Sequence, residues 1–201
     1  MIKNIIFDLG NVLLNFKPVQ FLERFTTDKN KIEQFSSKIL ENKLWLDLDR
    51  GILSIESARE KYLANYPEEE QLINLFFSQW MEMLSPIPEN VDVLKELKKL
   101  NYKLYALSNF IREAWTYVKR HYDFLGLFDG EVLSFEINFI KPEKQMFDHL
   151  LDKYCLIPER CIFIDDVEDN TSQARMMRMN SIHYSESTDL REELERIGII
   201  F

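Results

Sequence analysis

Three short apolar runs, far apart in the chain and each ending abruptly in polar residues, constrain the fold more than any other feature. Ile5-Ile6-Phe7 ends at Asp8, Tyr102 to Leu107 ends at Ser108-Asn109, and Cys161 to Ile164 ends at Asp165-Asp166. Continuous apolar runs of this length, bounded by polar residues, read as strands buried on both faces of a parallel sheet. Helical patterns lie between them. Val91, Leu94, Leu97 and Leu100 follow Pro88 at three-residue intervals and stop at Asn101. Pro142 opens a second helix carrying Met146, Leu150 and Leu151. Asn170 precedes a third, with Ala174, Met177 and Arg178, and a fourth runs from about Asp189 to Ile197 before Gly198. Strands alternating with helices predict an α/β fold, a doubly wound, Rossmann-like parallel sheet, with ligands outside the carboxyl ends of the strands.

Residues 16–85 break that rhythm. Phe21, Leu22, Phe25, Phe35, Leu40, Leu44, Leu48, Phe76, Phe77, Trp80 and Met83 recur at helical spacing with no strand pattern among them. The expected organisation is an α/β core of residues 1–15 plus 86–201, with 16–85 inserted as a small helical cap. The boundary cues are Pro18 on one side and Pro86 with Pro88 on the other.

The formal net charge of −9 argues against a nucleic-acid partner, because phosphate backbones are bound by clustered Lys and Arg. Two cysteines, Cys155 and Cys161, are too few for a disulfide framework and read as packed thiols in a reducing compartment. The amino terminus runs straight into a strand pattern, and no apolar run reaches the length needed to cross a bilayer. A cytoplasmic protein that does not engage a membrane is expected. The oligomeric state is left open.

Taken in order, Phe7-Asp8-Leu9-Gly10-Asn11-Val12, Leu107-Ser108-Asn109, Lys141-Pro142 followed by Phe147, and Phe163-Ile164-Asp165-Asp166 with Asn170 resemble the four motifs of the haloacid dehalogenase superfamily. The resemblance covers nearly the whole chain, with the helical cap between the first two motifs. Any one motif alone has a bland reading. Asp8 could cap a turn, Ser108-Asn109 could be a turn, Asp165-Asp166 could cap the next helix, and Lys141 could be a solvated surface lysine. Four in sequence order, each at the expected strand end, point to a shared site.

A carboxylate at a strand end can attack phosphorus and form an aspartyl-phosphate, splitting one hard displacement into two. The resemblance gives that role to Asp8. The attack has a charge problem, since Asp8, Asp165, Asp166 and a phosphate dianion gather about five negative charges, each close pair costing about 4 kcal/mol at an effective dielectric of 20. A divalent cation would offset this, and clustered oxygen ligands without His or Cys at metal spacing suit Mg2+. The resemblance implies that Asp8, Asp166 and the Gly10 backbone carbonyl bind Mg2+. Asp165 and Asn170 would act from behind them, through water or by orienting the set. It further implies that Lys141 contacts the transferring phosphoryl group and steadies the nucleophile. Ser108 would hydrogen-bond a phosphoryl oxygen, a task that backbone N–H groups of Leu9, Gly10 and Asn109 could share.

Most phosphatases of the superfamily carry a second aspartate two residues after the nucleophile as general acid and base. Here that position is Gly10. The Asp-Leu-Gly-Asn version resembles a bacterial branch that includes glucose 1-phosphate phosphatases. General acid–base help is typically worth about 10²–10⁴-fold, so its loss weighs most on poor leaving groups. A small phosphorylated metabolite with a good leaving group, such as an anomeric sugar phosphate, is therefore the expected substrate. The cap should choose among such metabolites. Trp45, Asp49 and Arg50, before Gly51, fit a face toward the site, or else the cap's own core for the tryptophan and solvent for the charges. The rival readings are a metal-independent 2-haloacid dehalogenase, which the acidic pair Asp165-Asp166 disfavours, and a non-catalytic phosphometabolite-binding protein.

Overall fold

The computed structural model describes all residues, 1–201. Five parallel strands form one sheet: β1 (Asn4–Phe7), β2 (Lys103–Ser108), β3 (Gly130–Leu133), β4 (Cys161–Asp165) and β5 (Asn180–His183), in the order β3-β2-β1-β4-β5. The helices are α1 (Pro18–Glu23), α2 (Lys29–Ile39), α3 (Lys43–Asp49), α4 (Ile55–Asn65), α5 (Glu70–Gln79), α6 (Pro88–Lys99), α7 (Arg112–His121), α8 (Ser134–Ile137), α9 (Lys144–Lys153), α10 (Glu168–Met176) and α11 (Leu190–Arg196).

The apolar runs are continuous because both faces of the sheet are covered. Successive side chains of a strand point to opposite faces. Accordingly Ile5, Phe7, Leu104, Ala106, Ile162 and Ile164 enter one core, while Ile6, Tyr105, Leu107, Phe163 and Cys161 enter another with Met146, Phe147 and Leu150 of α9. The register sets the three motif ends side by side. Phe7 lies opposite Ala106 on one flank and Ile164 on the other, and the Asp8 N–H donates to the Ile164 carbonyl at 2.8 Å. The strand order reverses between β1 and β4, so the carboxyl ends there splay around a crevice.

Between β1 and α6 the chain forms α1–α5 with no strand of the sheet. Their aromatic side chains hold one another: Phe76 lies 5.5 Å from Phe35, 6.0 Å from Phe21 and 6.1 Å from Trp45, centroid to centroid. The ends of this segment meet. Asn15 N–H donates to the Ser85 carbonyl at 2.7 Å and Ile87 N–H to the Leu13 carbonyl at 2.9 Å, with Leu14 bridging Pro86 in antiparallel sense. No helix is long and apolar enough to cross a membrane.

Several local expectations need correction. Strands β3 and β5 and helix α7 were not anticipated. Helix α9 starts at Lys144, two residues after Pro142. Asn170 lies inside α10, which begins at Glu168 behind Val167, with Glu168 and Asp169 in the first turn where the helix dipole favours acids. Arg178 lies beyond that helix in the left-handed region, φ 66°. Cys161 is buried as expected, but Cys155 is exposed at the turn after α9, also left-handed at φ 51°. Asn101, expected to stop α6, does so with φ 63°, a conformation asparagine tolerates better than most residues.

Candidate active site

Asp8 follows β1 directly and is buried against its neighbours. The Ser108 hydroxyl, at the end of β2, donates to Asp8 Oδ1 at 2.6 Å, and Lys141 Nζ lies 2.7 Å from the same oxygen. Both contacts fall on Oδ1, which leaves Oδ2 for other work. Lys141 Nζ also reaches Asp165 Oδ2 at 2.6 Å. Asp165, fully buried at the end of β4, is tied further through Oδ1 by the Val167 N–H and Asn170 Nδ2, each at 2.9 Å. Asp165 thus receives three donors, one on Oδ2 and two on Oδ1. Asp166, the next residue, is half-buried and receives one hydrogen bond, from Asn11 Nδ2 at 3.0 Å.

Lys141 is placed by its backbone as well as its charge. Asn109 grips the Lys141 peptide from both sides: its Oδ1 accepts from Lys141 N–H at 2.7 Å and its Nδ2 donates to Lys141 C=O at 3.1 Å. The residue assigned from sequence to a backbone role thus has a side-chain role that the sequence did not show. Leu9 is wholly buried, and Gly10 lines the space in front of Asp8. All nine expected residues, Asp8, Leu9, Gly10, Ser108, Asn109, Lys141, Asp165, Asp166 and Asn170, are brought to this one end of the sheet.

Carboxylate oxygens of Asp8, Asp165 and Asp166 all lie within 4.8 Å of one another. Burial pushes the Asp8 carboxyl up to about 7, the Asp165 and Asp166 charges push the same way, and Lys141 opposes them. Burial likewise raises Asp166, against its hydrogen bond from Asn11. Burial also disfavours the Lys141 ammonium, yet Asp165 and Asp8 outweigh it and hold its pKa above the ordinary lysine value. One ammonium faces three carboxylates. An oxygen-only donor set with surplus negative charge fits a hard divalent cation.

In front of Asp8 lies a cavity of about 110 Å³. Asp8, Gly10, Asp49 and Asn109 line it together with a mostly apolar set that includes Phe16, Trp45, Trp80, Phe110 and Ile111. The Trp80 indole N–H is buried without a hydrogen-bond partner. Sequence reasoning missed Asn11, Phe16 and Trp80 as site residues; of the three cap residues it left open between the site and the cap core or solvent, Trp45 and Asp49 line the cavity and Arg50 pairs with Glu143 instead. Asn11 looked like a turn residue, and it is one, with φ 51°. The same side chain also spans from Asp166 to the Phe16 N–H, 3.0 Å away.

A family description, haloacid dehalogenase-like hydrolase, matches residues 2–174, and the chain belongs to that family. Among named relatives, a sesquiterpene phosphatase of Aspergillus oryzae is 24% identical over 97% of this chain and 96% of its own length. A D-ribitol-5-phosphate phosphatase of Bacteroides thetaiotaomicron is 24% identical over 96% of this chain and 97% of its own. A haloacid dehalogenase-family enzyme of Bacteroides thetaiotaomicron, solved in complex with magnesium and inorganic phosphate, superposes with a TM-score of 0.77. It is 22% identical, over 96% of this chain and 99% of its own, and shares the fold.

Proposed function

We propose that this chain is a Mg2+-dependent phosphatase that removes phosphate from a small phosphorylated metabolite through an aspartyl-phosphate on Asp8. The observation that carries the reading is the buried cluster itself: a carboxylate at a strand end, held on one oxygen by Ser108 and Lys141, with two more carboxylates within reach of a shared cation. Two phosphatases among its relatives, and a family member crystallised with magnesium and phosphate, support it.

Asp8, Asp166 and the Gly10 carbonyl would hold Mg2+, which when bound neutralises charge as one anion attacks another. Asp165 and Asn170 orient that set, and Asp165 pins Lys141. Lys141 and Ser108, with the backbone N–H groups of Leu9, Gly10 and Asn109, hold the phosphoryl oxygens in place. Residues 16–85 act as the cap and choose the substrate, since Phe16, Trp45 and Trp80 come from that segment. Aromatic faces beside a small cavity suit a compact body such as a sugar or polyol. The catalytic loop itself carries no acid at Gly10, so an ester with a good leaving group, such as the anomeric ester glucose 1-phosphate, depends least on a proton brought from elsewhere in the site.

The test is a panel of phosphate esters assayed with Mg2+ and with EDTA. Phosphate release should require Mg2+, and glucose 1-phosphate should be hydrolysed faster than glucose 6-phosphate. A clear preference for the 6-phosphate would sink the anomeric assignment. Metal-independent chloride release from a 2-haloacid would sink the phosphatase.

A second expectation concerns stability. The raised pKa of Asp8 means that the folded chain prefers the protonated form. Its contribution to stability is therefore present below about pH 4 and is lost as pH climbs toward about 7. Mg2+ binds only the deprotonated ligands and supplies the missing charge. At about a hundred times its Kd it should stabilise by about 2.7 kcal/mol, raising Tm by roughly 5–10 °C at pH 8 and far less at pH 5. Thermal scans at the two pH values check the sign.

A further inference from the structure

The reaction proposed above leaves one task without an agent. A leaving oxygen must acquire a proton, and Gly10 has no side chain to give it. The cavity in front of Asp8 contains one other ionisable group. Of the side chains that line it, Asp8 and Asp49 alone can carry or release a proton in the neutral range. Asp49 is the last residue of α3, one helical turn after Trp45, so both side chains project from one helix face into the same space.

The position of Asp49 is built rather than incidental. The corner Asp49-Arg50-Gly51 is clamped onto α8 and the loop after it, which carries Lys141. The Ser134 hydroxyl donates to the Asp49 carbonyl, and the Ser134 Oγ in turn accepts from the Phe110 N–H at 2.9 Å. Arg50 pairs with Glu143 and donates to the Asn138 carbonyl at 3.1 Å, while Asn138 Nδ2 donates back to the Arg50 carbonyl at 2.6 Å. Gly51 has φ +69°, and a Cβ there would stand 2.6 Å from the Phe135 carbonyl oxygen, so the corner can approach α8 this closely only with glycine.

The Asp49 carboxyl, by contrast, is committed to nothing. No hydrogen bond acts on it. Burial and the Asp8 charge raise its pKa to about 7, against a smaller pull from Lys141. The other titratable group close to it is the Tyr62 hydroxyl of α4, which donates to the Ile39 carbonyl at 2.7 Å and is itself pushed upward by burial. An unpaired carboxyl that shares a mostly apolar cavity with the nucleophile is a group placed for proton transfer.

We propose that Asp49, delivered from the cap, is the general acid and base of this enzyme and does the work absent at Gly10. As Asp8 attacks phosphorus, the P–O bond to the leaving group breaks and the Asp49 proton passes to that oxygen, releasing an alcohol. Water then attacks the aspartyl-phosphate, the bond from phosphorus to Asp8 breaks, and the water proton returns to Asp49 as phosphate departs. The inference rests on the phosphatase reading.

The experiment is a leaving-group series on Asp49→Asn. For a poor leaving group such as the 6-hydroxyl of glucose 6-phosphate, kcat/KM should fall by about 10²–10³-fold, within the usual range for general-acid help. For 2,4-dinitrophenyl phosphate, which needs no proton, kcat/KM should stay within about twofold. Its kcat should nevertheless fall, because the second step still lacks its base, and labelled phosphate should accumulate on Asp8. The preference for glucose 1-phosphate over glucose 6-phosphate should widen. A second variant guards against a purely structural effect. A Cβ at Gly10 meets nothing within 4 Å, so Gly10→Asp fits, and in the Asp49→Asn background it should restore at least tenfold of the lost activity on alkyl esters. Equal losses on every leaving group, or no loss, or no rescue, would overturn the proposal. Full activity in Asp8→Asn would overturn the phosphatase reading instead, so the two failures are separable.

Discussion

Replacing Asp8 by Asn should reduce phosphate release by at least about 10⁴-fold while leaving the fold intact. The carboxamide keeps the size of the side chain and can still accept from Ser108, but it removes the nucleophile, and loss of a covalent catalyst costs factors of this order. It also removes one of three crowded negative charges. Burial and its acidic neighbours hold Asp8 well above the ordinary carboxylate range, so at pH 8 the metal-free variant should melt at a higher temperature than the wild type. Activity near zero with Tm raised in EDTA is the paired result to look for. Retained turnover would remove Asp8 from the reaction.

Replacing Lys141 by Ala should give the largest loss of stability of any single substitution at the site. Its ammonium lies 2.7 Å from Asp8 and 2.6 Å from Asp165 in a buried setting, and removing one partner of such a network typically costs about 3–5 kcal/mol, because the remaining charges stay buried and uncompensated. For a chain of this size that corresponds to roughly 10 °C in Tm. The loss should be smaller at pH 5 than at pH 8, since Asp8, already held above the ordinary carboxylate range, can take up a proton once the lysine is gone. Calorimetry in EDTA at both pH values measures it. A Lys141→Ala variant as stable as the wild type at pH 8 would contradict the buried ion-pair network.

The core of the fold was legible because its central strands are covered on both sides. Ile5-Ile6-Phe7 and Cys161 to Ile164 have nowhere polar to point, and their terminal acids stand out against that background. The edge strands carry no such signal. In β5, Ile182 alone of four residues is buried, and β3 buries two. Helix α7 buries Ala114, Trp115 and Val118 at proper helical spacing, yet its run of charged residues masked them. At the site, the residues at strand ends could be read because strand order places them. Asp49 could not be read this way. Its position depends on how the Gly51 corner seats on α8, a tertiary contact to which no local pattern points. Asn109 showed its place but not its grip on Lys141, for the same reason.

The hydrogen bonds joining Asn15 to Ser85 and Leu13 to Ile87 carry a consequence for how such a protein can change. The chain leaves the sheet and returns to it through a single doorway, so whatever lies between can be lengthened, trimmed or exchanged for a foreign module without moving β1 away from α6. Bond-breaking equipment and taste for a molecule can thus be inherited separately. If Asp49 holds the proton, a transplant of residues 16–85 would carry part of the reaction along with the appetite.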